Sequence, residues 1–281
     1  MPHPTPWIGF ERLVSLLRDE VIAVLSGAGV STESGIPDYR GPQTRDRDHD
    51  PIRYQEFVGS SDVRAHYWAR SAIGWPAFAS AHPNAGHHAL ARLEDAGHVG
   101  GIITQNVDGL HQAAGSSRVV ELHGSLFDVR CLDCGALASR RRLQRRLHRL
   151  NPAWSDRAAD VAPDGDAQIP RAATHGFCVP SCAQCGGVLK PDVVFFGENT
   201  DPARVDAAWG VLRDAEALLV VGSSLTVYSG FRFVRAAAQN HTPIGIVNLG
   251  ATRGTPHAAV QVEGKTGNVL PSLADAVLSS D

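Results

Sequence analysis

The sequence predicts an α/β protein built on a doubly wound parallel sheet and interrupted by two insertions. Three observations predict it. Four short apolar runs each end abruptly in small polar residues, helical patterns separate them, and two segments break the rhythm. One of those segments carries all five cysteines.

Taken in order, "VIAVLSGAG" holds an apolar run, Val21 to Leu25, that opens into Gly-rich sequence, as a buried parallel strand does at its C-terminal end. Residues 44–85 are polar and then rich in aromatic and small residues, including Trp68, Trp75 and Phe78, and read as a largely helical insertion. "VGGIITQNVDGLH" repeats the strand design around Ile102 and Ile103. Residues 125–192 form the second insertion, partly irregular around "APDGDAQIP". "ALLVVGSSL" (217–225) and "PIGIVNLG" (243–250) complete the strand set. Ligands of such sheets lie beyond the carboxyl ends of the strands, so the four polar ends are expected to face one cleft. The sheet domain is assigned to 1–43, 86–124 and 193–281, within a single catalytic unit spanning 1–281.

At 281 residues the chain can bury a substantial core. A net charge of −3 gives no reason to expect nucleic acid as a ligand. No apolar stretch approaches a membrane-spanning length and no secretory signal is read at the N-terminus, so a cytoplasmic protein without a membrane partner is expected.

Cys131-x-x-Cys134 and Cys182-x-x-Cys185 match the paired knuckles of a four-thiolate zinc site, separated by 47 residues. Free buried thiols or a redox pair are the alternatives. Four thiolates complete a tetrahedral shell, so one structural zinc ion is expected, with Cys178 a bystander.

"SGAGVSTESGIPDYRG" (26–41) begins like a phosphate-binding turn, with Gly27, Ala28 and Gly29 bringing backbone amides toward a pyrophosphate, but it has Thr32 where a dehydrogenase fingerprint needs its third Gly. Together with "TQNVDGLH", "ELHGS", "FFGE", "GSSLTVYSG", "VNLG" and the paired cysteines, this loop makes the chain resemble the sirtuins, NAD-dependent protein-lysine deacylases. The resemblance runs from about residue 10 to 275, and "CLDCG", "LKPDVVFFGE" and "VGSSLTVYSG" look most like the class II branch, which includes a mitochondrial vertebrate member.

The resemblance implies a Rossmann-like parallel sheet domain, a small domain formed by the helical and zinc-binding insertions, and NAD and an acylated-lysine protein entering between them. It implies that Ala28 and neighbouring amides hold the pyrophosphate and that Asp38, Tyr39 and Arg40 belong to a mobile cofactor loop. Gln105, Asn106, Val107 and Asp108 would line the nicotinamide and ribose region, with Asn106 and Asp108 counted as catalytic. Gly222, Ser223, Ser224, Asn248, Leu249 and Gly250 would hold the adenosine end, with Thr266 near adenine. His123 matches the catalytic base. The implied chemistry is attack of the acyl oxygen on the ribose carbon as nicotinamide leaves, giving an alkylimidate, after which a base of near-neutral pKa activates a ribose hydroxyl. Taken alone, Asp108 also reads as a helix cap and "VVFFGE" as a plain buried strand.

Relatives that prefer acidic acyl groups carry a Tyr-x-x-Arg pair soon after the cofactor loop. "GPQTRDRDHDPIRY" has none; Tyr67-x-x-Arg70 has the spacing but lies further along, and the role is not transferred to it. Arg45, Arg47 and Arg53 remain as residues able to meet a carboxylate. A deacetylase or broader deacylase is therefore expected. The alternatives are protein mono-ADP-ribosyl transfer, a non-catalytic NAD-sensing module and, last, hydride transfer. "RRRLQRRLHRL" (140–150) reads as a packed leucine stripe, Leu143, Leu147 and Leu150, with a solvated arginine face, the alternative being a basic interaction helix.

Overall fold

A computed structural model describes residues 7–39, 51–154 and 165–279. In chain order it contains α1 (Phe10–Leu17), β1 (Ile22–Ser26), two 3₁₀ turns (Ala28–Val30 and Thr32–Ser34), α2 (Tyr54–Gly59), α3 (Ser61–Ala79), α4 (Ala85–Asp95) and β2 (Val99–Thr104). There follow α5 (Leu110–Ala113), β3 (Val119–Glu121), β4 (Gly124–Cys131), β5 (Leu137–Ser139), α6 (Arg140–Leu150) and β6 (Leu189–Val193). The chain closes with α7 (Pro202–Arg213), β7 (Ala217–Val221), α8 (Tyr228–Gln239), β8 (Ile244–Asn248), β9 (Val260–Glu263) and α9 (Thr266–Leu278).

The chain divides into two compact units. The first takes the described residues of Met1–Arg45, His82–Leu122 and Thr200–Asp281; the second those of Asp46–Ala81 and His123–Asn199. In the first, six strands run in the order β3-β2-β1-β7-β8-β9, every neighbouring pair parallel. The four expected strands are present. β3 and β9, each of four residues or fewer, escaped the apolar pattern because so short a run carries little of it.

Strand side chains alternate between two covered faces. Ile22 and Val24 pack with Leu13, Leu17, Leu90 and Leu273, from α1, α4 and α9. Ala23 and Leu25 pack with Val211, Leu212, Phe233 and Val234, from α7 and α8. A strand buried on both sides has no polar face to show, which is why these runs read as continuous apolar sequence. Strand order reverses between β1 and β7, which places their C-terminal ends at the switch point of the sheet.

The second unit pairs β5-β4-β6 as an antiparallel sheet. Its core holds Phe57, Tyr67, Trp68, Val129, Leu143, Leu147 and Phe195. The leucine stripe of α6 is confirmed for Leu143 and Leu147 but not for Leu150, which is half exposed. Arg140 departs from the solvated arginine face. It is buried, its guanidinium lies 4.7 Å from the Trp75 ring and 5.4 Å from that of Trp68, and it donates to Gln144 Oε1 and Ser71 O. Burial lowers its pKa to about 10, still charged at neutral pH. The plain-strand reading of "VVFFGE" is also corrected: β6 stops at Val193, Phe195 is buried, and Phe196 is 45% exposed.

Candidate functional site

At the switch point the glycines serve close backbone contact. Gly27 N–H donates to Val221 O (3.1 Å) and Gly29 N–H to Gly222 O (2.8 Å). A Cβ on Gly29 would stand 2.8 Å from Gly222 O, and one on Gly222 (φ 57°) 2.4 Å from Val30 N. The expectation that all three amides of Gly27, Ala28 and Gly29 turn to a pyrophosphate is thereby narrowed. Two are taken up by the carbonyls of Val221 and Gly222, and of the three only the Ala28 N–H lacks a backbone carbonyl among the described residues.

Beneath this loop lies a continuous polar chain. Asn106 Nδ2 donates to Gly27 O (3.1 Å) and Ser31 Oγ (3.1 Å), and Ser31 Oγ donates to Asp108 Oδ2 (2.7 Å). Asp108 Oδ1 accepts the Leu110 N–H (3.0 Å), the first amide of α5, as the cap reading of this residue expects. Burial raises the Asp108 pKa, opposed by its bonds from Leu110 N–H and the Ser31 hydroxyl. Asn106 N–H donates to Thr104 Oγ1 (3.1 Å), which also accepts Ser26 Oγ (2.8 Å).

The chain continues into two buried histidines, and the network assigns their tautomers. Ser26 gives its proton to Thr104, so His111 Nε2, 2.8 Å away, must be the donor to Ser26. His111 Nδ1 is then an acceptor. His87 Nδ1 accepts the Asn84 N–H (3.3 Å), so its proton sits on Nε2. His111 Nδ1 and His87 Nε2 have no hydrogen-bond partner among the described residues, and the rings meet edge to face at 4.9 Å. One leftover is an acceptor and the other a donor. Burial keeps both rings neutral, at about 4 for His87 and about 3 for His111.

Asn84 ties this floor to the turn that follows β1: its Nδ2 donates to Val30 O (2.8 Å) and Ser34 Oγ (2.9 Å). Glu33 Oε2 accepts the Gly267 N–H (2.7 Å) at the start of α9, and Thr266 Oγ1 reaches Gly29 O (3.4 Å). Ser223 Oγ donates to Gln105 Oε1 (2.6 Å), and Ser224 Oγ lies 3.1 Å from Thr226 Oγ1. Asn248 Nδ2 donates to the Leu249 and Gly250 carbonyls, folding that strand end back on itself. Val107 and Asp38 are half-buried and Tyr39 exposed; Arg40, Arg45 and Arg47 lie outside the described residues. Ser26, Ser31, Glu33, Asn84, His87, Thr104 and His111 were not singled out from the sequence. Only "STES" beside a Gly-rich turn and the His in "DGLH" hinted at any of them.

In the second unit the two Cys-x-x-Cys turns are built alike. Cys131 N–H donates to Ala136 O and Cys131 O accepts the Gly135 N–H; Cys182 repeats both bonds with Gly187 and Gly186. Gly135 (φ 72°) and Gly186 (φ 78°) occupy the left-handed turn position in each. The Sγ atoms lie 3.5 Å apart for Cys131 and Cys185 and 3.9 Å for Cys134 and Cys182, all four within 4.8 Å. A disulfide needs about 2.05 Å, whereas tetrahedral zinc at about 2.3 Å from each sulfur sets them about 3.8 Å apart. The four thiols are thus placed to hold one zinc ion. Backbone N–H groups of Cys185 and Gln184 draw the Cys182 thiol down to about 7. Cys185, although pulled down by the Gly187 N–H, is pushed up to about 12 by the Cys134 and Cys131 sulfurs. Sulfurs this close ionise together only around a cation. Cys178 stands apart, exposed, its backbone pinned by Asn151.

His123 is half-buried between β3 and β4, and its carbonyl accepts the Val194 N–H (2.8 Å). Tyr67 and Arg70 are buried in α3, where Arg70 Nε donates to Ala167 O (3.1 Å) and its guanidinium lies 4.0 Å from Asp166.

A polar switch-point site on a parallel sheet, carried in one chain with a four-thiolate metal unit, defines a nucleotide-using α/β protein with a structural metal. The comparisons make this specific. The Sir2 family model matches residues 27–229. The chain is 54% identical over 259 residues to NAD-dependent protein deacetylase 1 of Streptomyces coelicolor, covering 92% of this chain and 87% of that one. It is 46% identical over 277 residues to the mitochondrial NAD-dependent protein lipoamidase sirtuin-4 of Bos taurus, covering 96% and 88%. A solved Sir2 homolog–NAD complex superposes with a TM-score of 0.74 at 31% identity, covering 96% of this chain and 94% of that one. A Sir2–p53 peptide–NAD+ complex does so with 0.75 at 28%, covering 96% and 97%. The chain belongs to the Sir2 family.

Proposed function

We propose that this protein is an NAD-dependent protein-lysine deacetylase or broader deacylase of the class II branch. It would release nicotinamide and transfer the acyl group to ADP-ribose. The observation that carries the reading is the buried Asn106–Ser31–Asp108 chain at the switch point. NAD supplies an electrophilic ribose carbon when its bond to nicotinamide breaks. Asp108, buried yet fixed by two donors, with the Val107 backbone, would hold the carboxamide of the departing ring. Ala28 N–H and the loop ends around Ser223, Ser224, Asn248 and Gly250 would take the phosphates and adenosine. β2 and β3 end side by side, Thr104 opposite Glu121, and Asn106 and Asp108 follow β2. His123 would accept the proton of a ribose hydroxyl. Zinc is structural, since four sulfurs leave it no open position.

Among the described residues no helix is long and apolar enough to cross a membrane. A reducing compartment, the cytoplasm first, fits a chain whose paired cysteines are placed for a metal. A partner set of acylated proteins rather than nucleic acid is supported by the net charge of −3. The test is nicotinamide release from NAD with acetyl-lysine peptides. Release that needs peptide and falls at least about 100-fold in His123→Ala supports the reading. No release with any acyl-lysine peptide refutes it.

A further inference from the structure

The segment that follows β6 is built as a rigid rim. Lys190, one of only two lysines in the chain, buries its ammonium beneath it. Lys190 Nζ donates to the Val193 and Pro191 carbonyls, pairs with Glu198 at 2.9 Å and lies 4.7 Å from the Phe195 ring centre. Glu198 Oε2 also accepts the Phe195 N–H (2.8 Å). From the other side Tyr54 N–H bonds Phe196 O (3.0 Å), Gln55 Nε2 bonds Gly197 O (3.0 Å), and Arg53 pairs with Phe196 as a parallel bridge. Gly197 takes φ 81°, a left-handed conformation that favours glycine.

Pro51, Arg53, Gln55, Phe196 and Gly197 line a pocket on this rim. It offers one cation, one aromatic face and one amide. No carboxylate of the described residues forms an ion pair with the Arg53 side chain. Glu56, three residues further on, is engaged by the Arg53 backbone N–H (2.9 Å). A guanidinium fork beside an apolar ring suits a carboxylate on a short methylene stem. Position connects the pocket to the reaction. Val194 bonds the His123 carbonyl, and Phe196 lies two residues further, about 7 Å of extended chain.

We propose that this pocket reads an acidic side chain of the protein substrate beside the acylated lysine, with Arg53 the specificity-determining residue. The inference rests on the deacylase reading above. Arg53 and Phe196 are both solvent-exposed, which favours a group carried on a chain passing outside over an acyl carboxylate drawn inward.

The test uses the full-length protein and neutral acetyl-lysine peptides in which a single Glu, or its isostere Gln, is walked through the positions on either side. A matching peptide with succinyl-lysine and no Glu distinguishes the other source of a carboxylate. At one position Glu should raise kcat/KM about two- to fivefold over Gln, the scale of an exposed ion pair. The gain should appear mainly in KM and shrink with added salt. Arg53→Gln should level the two peptides, Arg53→Lys retain part of the preference, and Arg53→Glu reverse it. Equal rates for Glu and Gln in the unaltered protein, a preference surviving Arg53→Gln, or an Arg53 effect confined to succinyl-lysine would each overturn the assignment. Fluorescence anisotropy of labelled peptides without NAD reads the same preference independently of turnover. Absent nicotinamide release therefore speaks only against the deacylase reading.

Discussion

The four-cysteine centre of the second unit and the polar floor of the first both bring polar side chains together at one place, but from different material. The thiol centre is short-range. Two turns of like build aim four sulfurs at one point, where a zinc ion would complete the centre. The floor is long-range. Ser26, Thr104 and His111 come from separate elements and are joined by neutral hydrogen bonds, and Asn84 holds His87 beside them. The first should therefore fail through its metal and the second through its protons.

The largest effect is expected from the metal. Structural zinc sites are worth on the order of 10 kcal/mol of folding free energy. Cys182→Ser should lower bound zinc from about one per chain to near zero and abolish the packing of the second unit. Elemental analysis with near-ultraviolet circular dichroism, which sees Trp68 and Trp75, measures both. Full zinc retention would break the comparison at its first term.

Acid should act on the other region. His87 and His111 have folded pKa values depressed from 6.5 to about 4 and about 3, so their stabilisation is present above pH 6.5 and is lost as pH falls toward those values. At about 1.4 kcal/mol per pKa unit, the pair should cost roughly 6 kcal/mol of stability by pH 4. Urea titrations across pH should show this, and a His87→Gln/His111→Gln protein should show a flatter profile. An unchanged profile would mean the rings are not held neutral.

Asp108 sharpens the contrast within the floor. Its pKa is raised by burial, so the charged carboxylate is a burden above the ordinary aspartate range and relieved below it. Asp108→Asn should leave the melting temperature unchanged or higher while nicotinamide release falls about 100-fold. A parallel loss of both would make Asp108 structural. A smaller effect is expected at Glu33, whose carboxylate meets the Gly267 N–H at the start of α9. Glu33→Gln should lower stability by about 0.5 kcal/mol, readable by chemical denaturation.

The same contrast explains what could be read from the sequence. Cys131, Cys134, Cys182 and Cys185 announce themselves because the turn that aims two thiolates is written in four consecutive residues. The central strands were legible because burial on both faces leaves an unbroken apolar run. Gly27 and Gly29 were visible as a loop, but their partner Gly222 sits on another strand, and only the fold shows that two amides are already engaged. His87 and His111 looked like any of 13 histidines until α4 and α5 brought their rings together. Arg140 seemed one of a solvated arginine run, and the tryptophans that accept it lie on α3, over sixty residues earlier.

The most direct measurement is mass spectrometry of the nucleotide formed from NAD and an acetyl-lysine peptide. One acetyl-ADP-ribose should form per free lysine and per nicotinamide, with none from His123→Ala. ADP-ribose attached to protein or peptide, or reduced NAD, in place of that soluble product would contradict the account.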